Sequence, residues 1–453
     1  MKQERIFGTD GIRGRAGEGW LTIRAVTALG AAVGQVLAAR STRSQNAPRR
    51  ALLGHDGRRS GPELEGALAR GMMQNGYEVT SAGLMTTPGL ALLTRLEHFE
   101  IGAMISASHN PAEDNGIKVF SDQGEKLSDA LEIEIEERLR ARPALDIEGS
   151  VLASGPELER RYLAYLLDPV ARDLSLDGLT IVLDCANGGG SRVAPRVLGR
   201  LGAQVIVRAA EPDGDNINKD CGATHPAMLQ AEVRAHGAHL GIALDGDGDR
   251  CLLVDERGEL VHGDGILTLL VHHAVAHGTL ATPRVVATVM SNRGLHRALR
   301  EVGVGVTTVD VGDRRVVEGL RREHLELGGE QSGHIVFGED HFFIGDGIYT
   351  ALRVLRVMRE TKQKLSELAA PYRPFPQVLL NVPVKRQPNL SELPRVAAAR
   401  TRIENELGQD GRVLLRYSGT EPLARVMVEG PDGDRIRAQA QEIAALISEE
   451  IGS

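Results

Sequence analysis

The stretch IGAMISASHNP, residues 101–111, is the most informative segment of the chain. Its first part, Ile101 to Ile105, is an apolar run that predicts a buried β-strand. The strand ends in a small polar cluster, which places the hydroxyl of Ser108 and the imidazole of His109 just before a proline. In α/β proteins, binding sites form at the carboxyl ends of strands. We therefore expect an α/β fold with a functional loop around Ser108.

On both sides of this strand, apolar runs alternate with helical patterns. The predicted strands are Arg50–His55, Tyr77–Ser81, Ile101–Ile105, Leu179–Asp184, Ala203–Val207, His239–Leu244, Arg284–Val289 and Gly305–Asp310. One helix is predicted over Gly61–Gln74. Three further helices are predicted to begin after the glycines at 188–190, at Asn292 and at Asp313. This alternation predicts three similar α/β domains, each around a mixed, mostly parallel sheet.

The pattern changes near residue 370. A proline-rich linker, Ala370–Pro376, is followed by a predicted strand over Gln377–Lys385 and a helix over Ser391–Leu407. Paired strands within Val413–Val428 and a helix from Asp434 complete a smaller α+β domain. We expect domain boundaries at 1–155, 156–255, 256–370 and 371–453.

The bulk composition excludes several classes of protein. The chain of 453 residues is too long for one core, and its net charge of −8 argues against nucleic-acid binding. No apolar run approaches the length of about 20 residues that a membrane span needs, and no apolar signal region is apparent. Cys185, Cys221 and Cys251 are widely spaced, as expected for reduced thiols of a cytoplasmic protein.

The serine loop has no G-x-S-x-G frame, which argues against a hydrolase nucleophile elbow. Because adjacent side chains diverge, we do not expect His109 to be the base for Ser108, although it can donate a hydrogen bond to a phosphate there. Lys118, further along, offers one cation. The alternative interpretation is a polar turn with a solvated lysine.

An acidic loop, DGDGDR, occupies residues 245–250 after another predicted strand. The carboxylates of Asp245, Asp247 and Asp249 alternate with glycines, so they can converge on one hard cation through oxygen ligands. Their mutual repulsion makes a metal-free arrangement costly. Magnesium fits this pattern, with a phosphate completing its coordination, and Arg250 can pair with a carboxylate or a phosphate. The alternative is a solvated acidic turn.

Three further glycine-flanked loops carry polar groups. The loop at 328–334 holds Glu330, Ser332 and His334, a combination that suits sugar hydroxyls, with His334 able to act as an acid or base. The loop at 416–422 suits a phosphate through Arg416, Ser418, Gly419 and Thr420, with Arg425 beyond. At 7–14, Arg13 can face the same phosphate. Ordinary glycine turns are the alternative for each, but together they predict loops meeting in an active-site cleft between the four domains.

These loops resemble, in order and over essentially the whole chain, those of the α-D-phosphohexomutase superfamily. Ser108 matches the family's phosphoserine. Asp245, Asp247 and Asp249 match its magnesium ligands, and the resemblance implies that Ser108 is a further ligand of the same ion. The loops at 328–334 and 416–422 match its sugar-binding and phosphate-binding loops. The segments 7–14, 106–118 and 216–225 are most similar to the bacterial phosphoglucosamine mutases. Tyr417 and Arg315 depart from the usual pattern, which bears on substrate preference.

The resemblance implies a reversible mutase that converts glucosamine 6-phosphate to glucosamine 1-phosphate, a step toward UDP-N-acetylglucosamine and cell-wall precursors. Phosphorylated Ser108 and Mg²⁺ would serve the reaction, with a hexosamine or glucose 1,6-bisphosphate as intermediate or activator. His109, Lys118, Arg13 and His334 would act at the reacting phosphate, Arg250 with Glu330 and Ser332 on the sugar. The implied partners are sugar phosphates and a second copy of the chain.

Three alternatives remain open from the sequence. A phosphomannomutase or phosphoglucomutase would use the same chemistry on a neutral hexose. A phosphatase would let water intercept the phosphoserine. A non-catalytic sugar-phosphate binder would have no need of the intact Ser108 and Asp245–Arg250 motifs.

Overall fold

The computed structural model describes residues 5–8, 10–40, 48–141, 153–154, 156–418 and 422–452. The strands are β1 Ile12–Arg15, β2 Arg49–His55, β3 Tyr77–Leu84, β4 Ile101–Ile105, β5 Asp114–Phe120, β6 Ala153–Ser154, β7 Thr180–Asp184, β8 Gln204–Arg208, β9 Leu240–Leu244, β10 Cys251–Asp255, β11 Leu260–Val261, β12 Arg284–Thr288, β13 Gly305–Val309, β14 Leu327–Gly329, β15 Ile335–Phe337, β16 Gln377–Pro383, β17 Arg412–Tyr417 and β18 Leu423–Glu429. The helices are α1 Ile23–Ala38, α2 Gly61–Met73, α3 Thr87–Leu96, α4 Asp129–Ala141, α5 Pro156–Tyr165, α6 Val193–Arg200, α7 Ala227–His236, α8 Gly263–Ala276, α9 Arg293–Glu301, α10 Asp313–Glu323, α11 Gly347–Thr361, α12 Leu365–Ala369, α13 Pro394–Leu407 and α14 Gly433–Ile451.

The chain forms two compact units, Met1–Val289 with Thr307–Ala369, and Met290–Val306 with Ala370–Ser453. Three sheets have the strand orders β1-β5-β4-β2-β3-β6, β11-β10-β9-β7-β8 and β13-β12-β14-β15, and all their strands lie in the first unit except the first two residues of β13. Each combines parallel and antiparallel pairs. The predicted set of three mixed-sheet α/β domains is therefore confirmed, and the predicted strands and helices agree with the structure to within three residues at their ends.

The three sheets place their polar loops at equivalent positions. In each sheet a buried strand that pairs in parallel with one neighbour, namely β4, β9 or β14, turns back into an antiparallel strand, β5, β10 or β15. The turns are the serine loop at 106–113, the acidic loop at 245–250 and the sugar-loop candidate at 330–334. Because β4 and β9 contain only apolar residues and glycine, and β14 is Leu-Gly-Gly, the polar groups fall in the turns at the carboxyl ends of these strands.

The apolar faces of these elements bury continuous cores. In the first sheet's layer, α1 and α2 pack so closely that a Cβ at Gly30 or Gly71 would overlap the facing backbone. α1 begins at Thr22, whose side chain accepts a hydrogen bond from the N–H of Ala25 at 3.3 Å. This rigid layer fixes the strands from which the loops emerge. No helix among the described residues is both long and apolar enough to cross a membrane.

The second unit contains the predicted smaller α+β domain. Its antiparallel sheet has the order β16-β18-β17, and α13 and α14 pack on it through a core that includes Val396, Ile403, Ile436 and Ile443. Within this unit, Asn292 caps α9 by accepting from the N–H of Gly294 at 2.8 Å.

Candidate active site

The Ser108 hydroxyl points at the acidic loop. Ser108 is buried, and its Oγ donates a hydrogen bond to Asp245 Oδ2 at 2.7 Å. Its backbone takes the left-handed conformation, with φ of 52°, and its N–H donates to Ser106 Oγ at 2.8 Å. A residue other than glycine seldom adopts this conformation, so the loop must hold it there. The serine and acidic loops, 137 residues apart in sequence, thus meet at one oxygen.

A buried arginine, absent from our sequence predictions, holds the serine loop. The Arg58 guanidinium is fully buried and pairs with Asp56 at 2.9 Å. It donates to four main-chain carbonyl oxygens, those of Ser108, Asn110, Pro111 and Asp114. Asn218 adds a bond from its Nδ2 to the Ser108 carbonyl at 2.9 Å. The geometry of the loop therefore depends on a charged group whose hydrogen bonds are all internal.

We expect Arg58→Met to lower the free energy of unfolding by about 3–5 kcal/mol, because it leaves the buried Asp56 carboxylate without its cation. Urea denaturation followed by circular dichroism measures the loss. Arg59→Met is a matched control, since Arg59 is exposed and pairs with Asp215 at the surface; a change within about 0.5 kcal/mol is expected. Equal unfolding curves for the two variants would contradict the assigned role of Arg58.

His109 lies nearer to Ser108 than adjacency in sequence predicts. Its Nδ1 is 3.4 Å from Ser108 Oγ, whereas we expected diverging side chains. The left-handed backbone of Ser108 accounts for the difference, because it turns the two side chains toward each other. Burial, with Arg250 and Arg13 nearby, lowers the pKa of His109 to about 4.

The three aspartates of the acidic loop form a site for a divalent cation. Each offers a carboxylate oxygen, and these oxygens lie within 4.8 Å of one another. Oδ1 of Asp247 and Oδ1 of Asp249 are buried and, among the described residues, have no hydrogen-bond partner. Buried carboxylate oxygens without donors are costly, and oxygen ligands of this kind suit a hard cation.

The charges in this cluster oppose one another. Burial raises the pKa of the Asp245 carboxyl well above its ordinary value, and repulsion from Asp249 and Asp247 adds to the shift. Burial also pushes the pKa of Asp249 upward, but Lys118, His334 and Arg250 outweigh it and hold that pKa well below its usual range. A divalent cation would relieve the repulsion that remains.

Lys118 and a second lysine neutralise part of this charge. Lys118 is fully buried, and its Nζ lies 2.8 Å from Asp247 Oδ2, 3.1 Å from Asp10 Oδ2 and 3.6 Å from Asp249 Oδ2. Lys126, which we did not predict, pairs with Asp10 and with Asp313. Burial lowers the pKa of Lys118, but the carboxylates outweigh it and hold the pKa well above its ordinary value. Lys118 therefore acts as a fixed ammonium ion.

The third loop also reaches the aspartates. His334 Nδ1 lies 3.7 Å from Asp249 Oδ2; burial lowers its pKa, but Asp249 outweighs burial and raises it to about 9. Glu330 Oε1 accepts from the N–H of Gly312 at 3.1 Å. Ser332 Oγ is buried without a hydrogen-bond partner among the described residues, and so is Arg250 Nε. These groups leave donors and acceptors for a polar ligand.

A cavity of about 400 Å³ is lined by residues from the N-terminal, serine, acidic and third loops. Its lining includes Arg13, His109, Asp249, Arg250, Glu330 and His334. Arg13 enters from β1, pairs with Asp10 and donates to Asn110 Oδ1 at 3.4 Å. A larger cavity of about 970 Å³ contains none of the predicted site residues. The chemistry therefore points to the smaller cavity, where cations, carboxylates and the serine loop converge.

The fourth predicted loop lies in the second unit and is described in part. Arg425 Nη2 donates to Ser418 Oγ at 3.2 Å, and Arg416 is the cross-strand neighbour of Arg425. Gly419 and Thr420 lie outside the described residues. The described part presents two arginines and a hydroxyl together, as a phosphate ligand requires.

Comparison with known proteins gives matches over nearly the whole chain. Four family models of the phosphoglucomutase/phosphomannomutases match this chain in order. Alpha/beta/alpha domain I matches residues 4–145, domain II 160–258, domain III 262–375 and the C-terminal domain 379–446. The phosphoglucosamine mutase of Anaeromyxobacter sp. (strain Fw109-5) is 46% identical over 457 residues, 99% of this chain and 96% of the relative. That of Mycobacterium ulcerans is 47% identical over 449 residues, 98% and 99% of the two chains.

Solved structures share the fold at low identity. A phosphoglucomutase/phosphomannomutase family protein from Burkholderia thailandensis superposes with a TM-score of 0.81 at 24% identity, over 99% of both chains. An N-acetylphosphoglucosamine mutase from Aspergillus fumigatus, solved with GlcNAc-6P and magnesium, gives a TM-score of 0.63 at 19% identity, over 98% of this chain and 95% of that one.

Proposed function

Because the chain belongs to the phosphoglucomutase/phosphomannomutase family, we propose that it interconverts glucosamine 6-phosphate and glucosamine 1-phosphate. The observation that carries this proposal is the set of phosphoglucosamine mutases that match at 42–47% identity over nearly the full chain. The hydrogen bond of the buried Ser108 hydroxyl to the Asp245 carboxylate supports a role for that serine in phosphoryl transfer. The product would feed the synthesis of UDP-N-acetylglucosamine and cell-wall precursors.

The reaction consists of two phosphoryl transfers at Ser108. The bond between Ser108 Oγ and phosphorus breaks as the O1 hydroxyl of glucosamine 6-phosphate bonds to phosphorus and releases its proton, which gives a 1,6-bisphosphate. The bisphosphate turns round, and Ser108 Oγ gives up its proton and bonds to the phosphorus of the 6-phosphate as the bond from that phosphorus to O6 breaks. O6 takes up a proton, so glucosamine 1-phosphate leaves and Ser108 is phosphorylated again. His109, whose pKa is lowered by burial, is the neutral imidazole that can accept the proton that O1 releases, whereas neighbouring carboxylates hold Lys118 and His334 in their charged forms, as phosphate ligands or proton donors.

Charged groups of this chain would place the reacting phosphoryl group. Lys118 and Arg13 offer cations beside the serine loop. Arg250 lines the cavity, and its Nε lies 3.9 Å from Asp249 Oδ1 without a hydrogen-bond partner among the described residues. Asp245, Asp247 and Asp249 would hold Mg²⁺, which when bound neutralises charge on the transferring group. Glu330 and Ser332 would bind sugar hydroxyls.

The second unit would bind the phosphate that does not react. Arg416, Ser418, Gly419, Thr420 and Arg425 offer guanidinium, hydroxyl and main-chain donors. We further propose that the chain is a cytoplasmic protein and forms a homodimer, which analytical sedimentation tests. We also propose domains over residues 1–155, 156–255, 256–370 and 371–453, which limited proteolysis tests.

Coupled assays with glucosamine, mannose and glucose 6-phosphates should show kcat/KM for glucosamine 6-phosphate higher by at least about tenfold. A preference for a neutral hexose would instead assign the chain to the phosphomannomutase or phosphoglucomutase activity. Release of free phosphate in excess of isomerised product would indicate a phosphatase. Binding of all three sugars without turnover would indicate a sugar-phosphate binder.

A further inference from the structure

Two helices from different sheet layers begin at the acidic loop. At the start of α3, the N–H of Thr87 donates to the Asp247 carbonyl oxygen at 2.8 Å, and its Oγ1 donates to Asp247 Oδ2 at 2.5 Å. At the start of α11, the N–H of Gly347 donates to the Gly248 carbonyl oxygen at 3.0 Å. Adjacent residues of the loop are thus held by the first residues of two helices.

The cap residues of these helices fix both starting points. Thr86 precedes α3, and its Oγ1 accepts from the N–H of Gly89 at 3.1 Å. Asp346 precedes α11, and its Oδ1 accepts from the N–H groups of Ile348 at 2.9 Å and Tyr349 at 3.0 Å. N-cap side chains of this kind set where a helix begins.

One tyrosine joins the two caps. Tyr162 lies on α5 and is fully buried, and its hydroxyl donates to Asp346 Oδ2 at 2.7 Å. Burial and Asp346 raise the pKa of this hydroxyl, and the Thr86 side chain lies close enough to it to oppose that shift. The ring packs so closely on the start of α3 that a Cβ at Gly89 would overlap it. The hydroxyl thus completes a path from Thr86 through Tyr162 to Asp346.

We propose that Tyr162 is a positioning residue for the divalent-cation site. Its hydroxyl fixes the starts of α3 and α11 relative to each other, and those starts hold Asp247 and Gly248. The spacing of the loop carboxylates, and with it the affinity for the cation, depends on this single bridging hydroxyl. The inference rests on the proposed divalent site and not on which sugar phosphate is the substrate.

A second tyrosine of the same helix provides a matched control. Tyr165, at the end of α5, lies with its hydroxyl 3.0 Å from His341 Nδ1, and His341 Nε2 lies 3.2 Å from Asp346 Oδ2. Tyr165 therefore reaches the Asp346 carboxylate only through His341. Tyr162→Phe and Tyr165→Phe each remove one hydroxyl from the hydrogen-bond network around Asp346. Only Tyr162→Phe removes the hydroxyl that lies between Thr86, which caps α3, and Asp346, which caps α11.

We expect Tyr162→Phe to weaken Mg²⁺ binding by about tenfold, as changes beyond the direct ligands of a metal commonly do. Tyr165→Phe should stay within about twofold of the wild type. Isothermal titration calorimetry of the full chain, stripped with EDTA and without sugar phosphate, measures both. In assays, Tyr162→Phe should raise the Mg²⁺ concentration needed for half-maximal rate while kcat at saturating Mg²⁺ recovers, which a general loss of stability would not produce.

Unchanged Mg²⁺ affinity in folded Tyr162→Phe overturns the inference, and so does an equal loss in both variants. Should Tyr162→Phe fail to fold, Thr86→Val gives a second test, since it removes the oxygen that caps α3 and lies beside the Tyr162 hydroxyl while keeping the shape of the side chain. Wild-type affinity in a folded Thr86→Val chain overturns the inference. If the wild type does not bind Mg²⁺, the metal site itself is refuted. If Tyr162→Phe weakens Mg²⁺ binding but the wild type prefers another sugar phosphate, the inference is supported and the proposed substrate is refuted.

Discussion

Replacing Ser108 by alanine should reduce the interconversion of glucosamine phosphates by about 10³-fold or more. The variant has no Oγ to carry the phosphoryl group between substrate and product. The loop around it should remain in place, since Arg58 and Asn218 hold the main chain of residue 108 and not its side chain. Initial rates in the coupled assay, with matched circular dichroism spectra, measure the effect.

Ser106→Ala is the control for disturbance of the loop. The Ser106 hydroxyl donates to Asp56 Oδ2 at 2.6 Å and accepts from the Ser108 N–H, so its loss loosens the loop without removing the reacting oxygen. A loss within about tenfold is expected. Incubation with a hexose 1,6-bisphosphate should add the mass of one phosphoryl group to the wild type and to Ser106→Ala, and none to Ser108→Ala. Full activity in Ser108→Ala would refute the serine mechanism.

The groups that the sequence predicted are those whose chemistry lies within a short motif. Ser108 follows a five-residue apolar strand, and the three aspartates alternate with glycines, so each motif indicates its chemistry without knowledge of its neighbours. The serine and acidic loops both follow the carboxyl end of a buried strand, which is the edge of an α/β sheet where binding sites form. Their convergence is consistent with this equivalent position in the two sheets. The bond between Ser108 and Asp245 is a consequence of that shared position.

The groups that sequence reasoning missed act across large separations. Arg58 lies 50 residues from the Ser108 carbonyl that it binds, and Asn218 lies 110 residues from it. Arg58 stands in no motif of the sequence analysis, and Asn218 lies in the segment 216–225, to which only a resemblance and no chemistry was assigned, so only the fold shows that both residues bind the loop. Lys126 could have been noticed from the sequence, because lysine is scarce in this chain. It accounts for only 7 of the 53 Lys and Arg residues, so each lysine is a candidate for a specific role. The approach of His109 to Ser108 depended on the left-handed backbone, which side-chain identities do not predict.

Asp247→Asn should abolish most cation binding, with a loss in Mg²⁺ affinity of at least about 100-fold and a comparable loss in activity. The amide preserves the shape of the side chain and an oxygen for Thr87, but it removes the charge of an aspartate whose Oδ1 has no hydrogen-bond partner among the described residues. Calorimetry with Mg²⁺ and rates measured against Mg²⁺ concentration give the two values. Asp215→Asn, an exposed aspartate paired with Arg59, serves as the control.

Stability in EDTA separates a cation site from a structural cluster. If the three carboxylates exist to bind a cation, their repulsion is uncompensated without it, and Asp247→Asn relieves part of that repulsion. Lys118 keeps Asp10 and Asp249 as partners in the variant. The urea midpoint of Asp247→Asn in EDTA should therefore equal or exceed that of the wild type, and saturating Mg²⁺ should reverse the order. A lower midpoint in EDTA, with Mg²⁺ affinity intact, would mean that the aspartates serve the fold through Lys118 and not the cation.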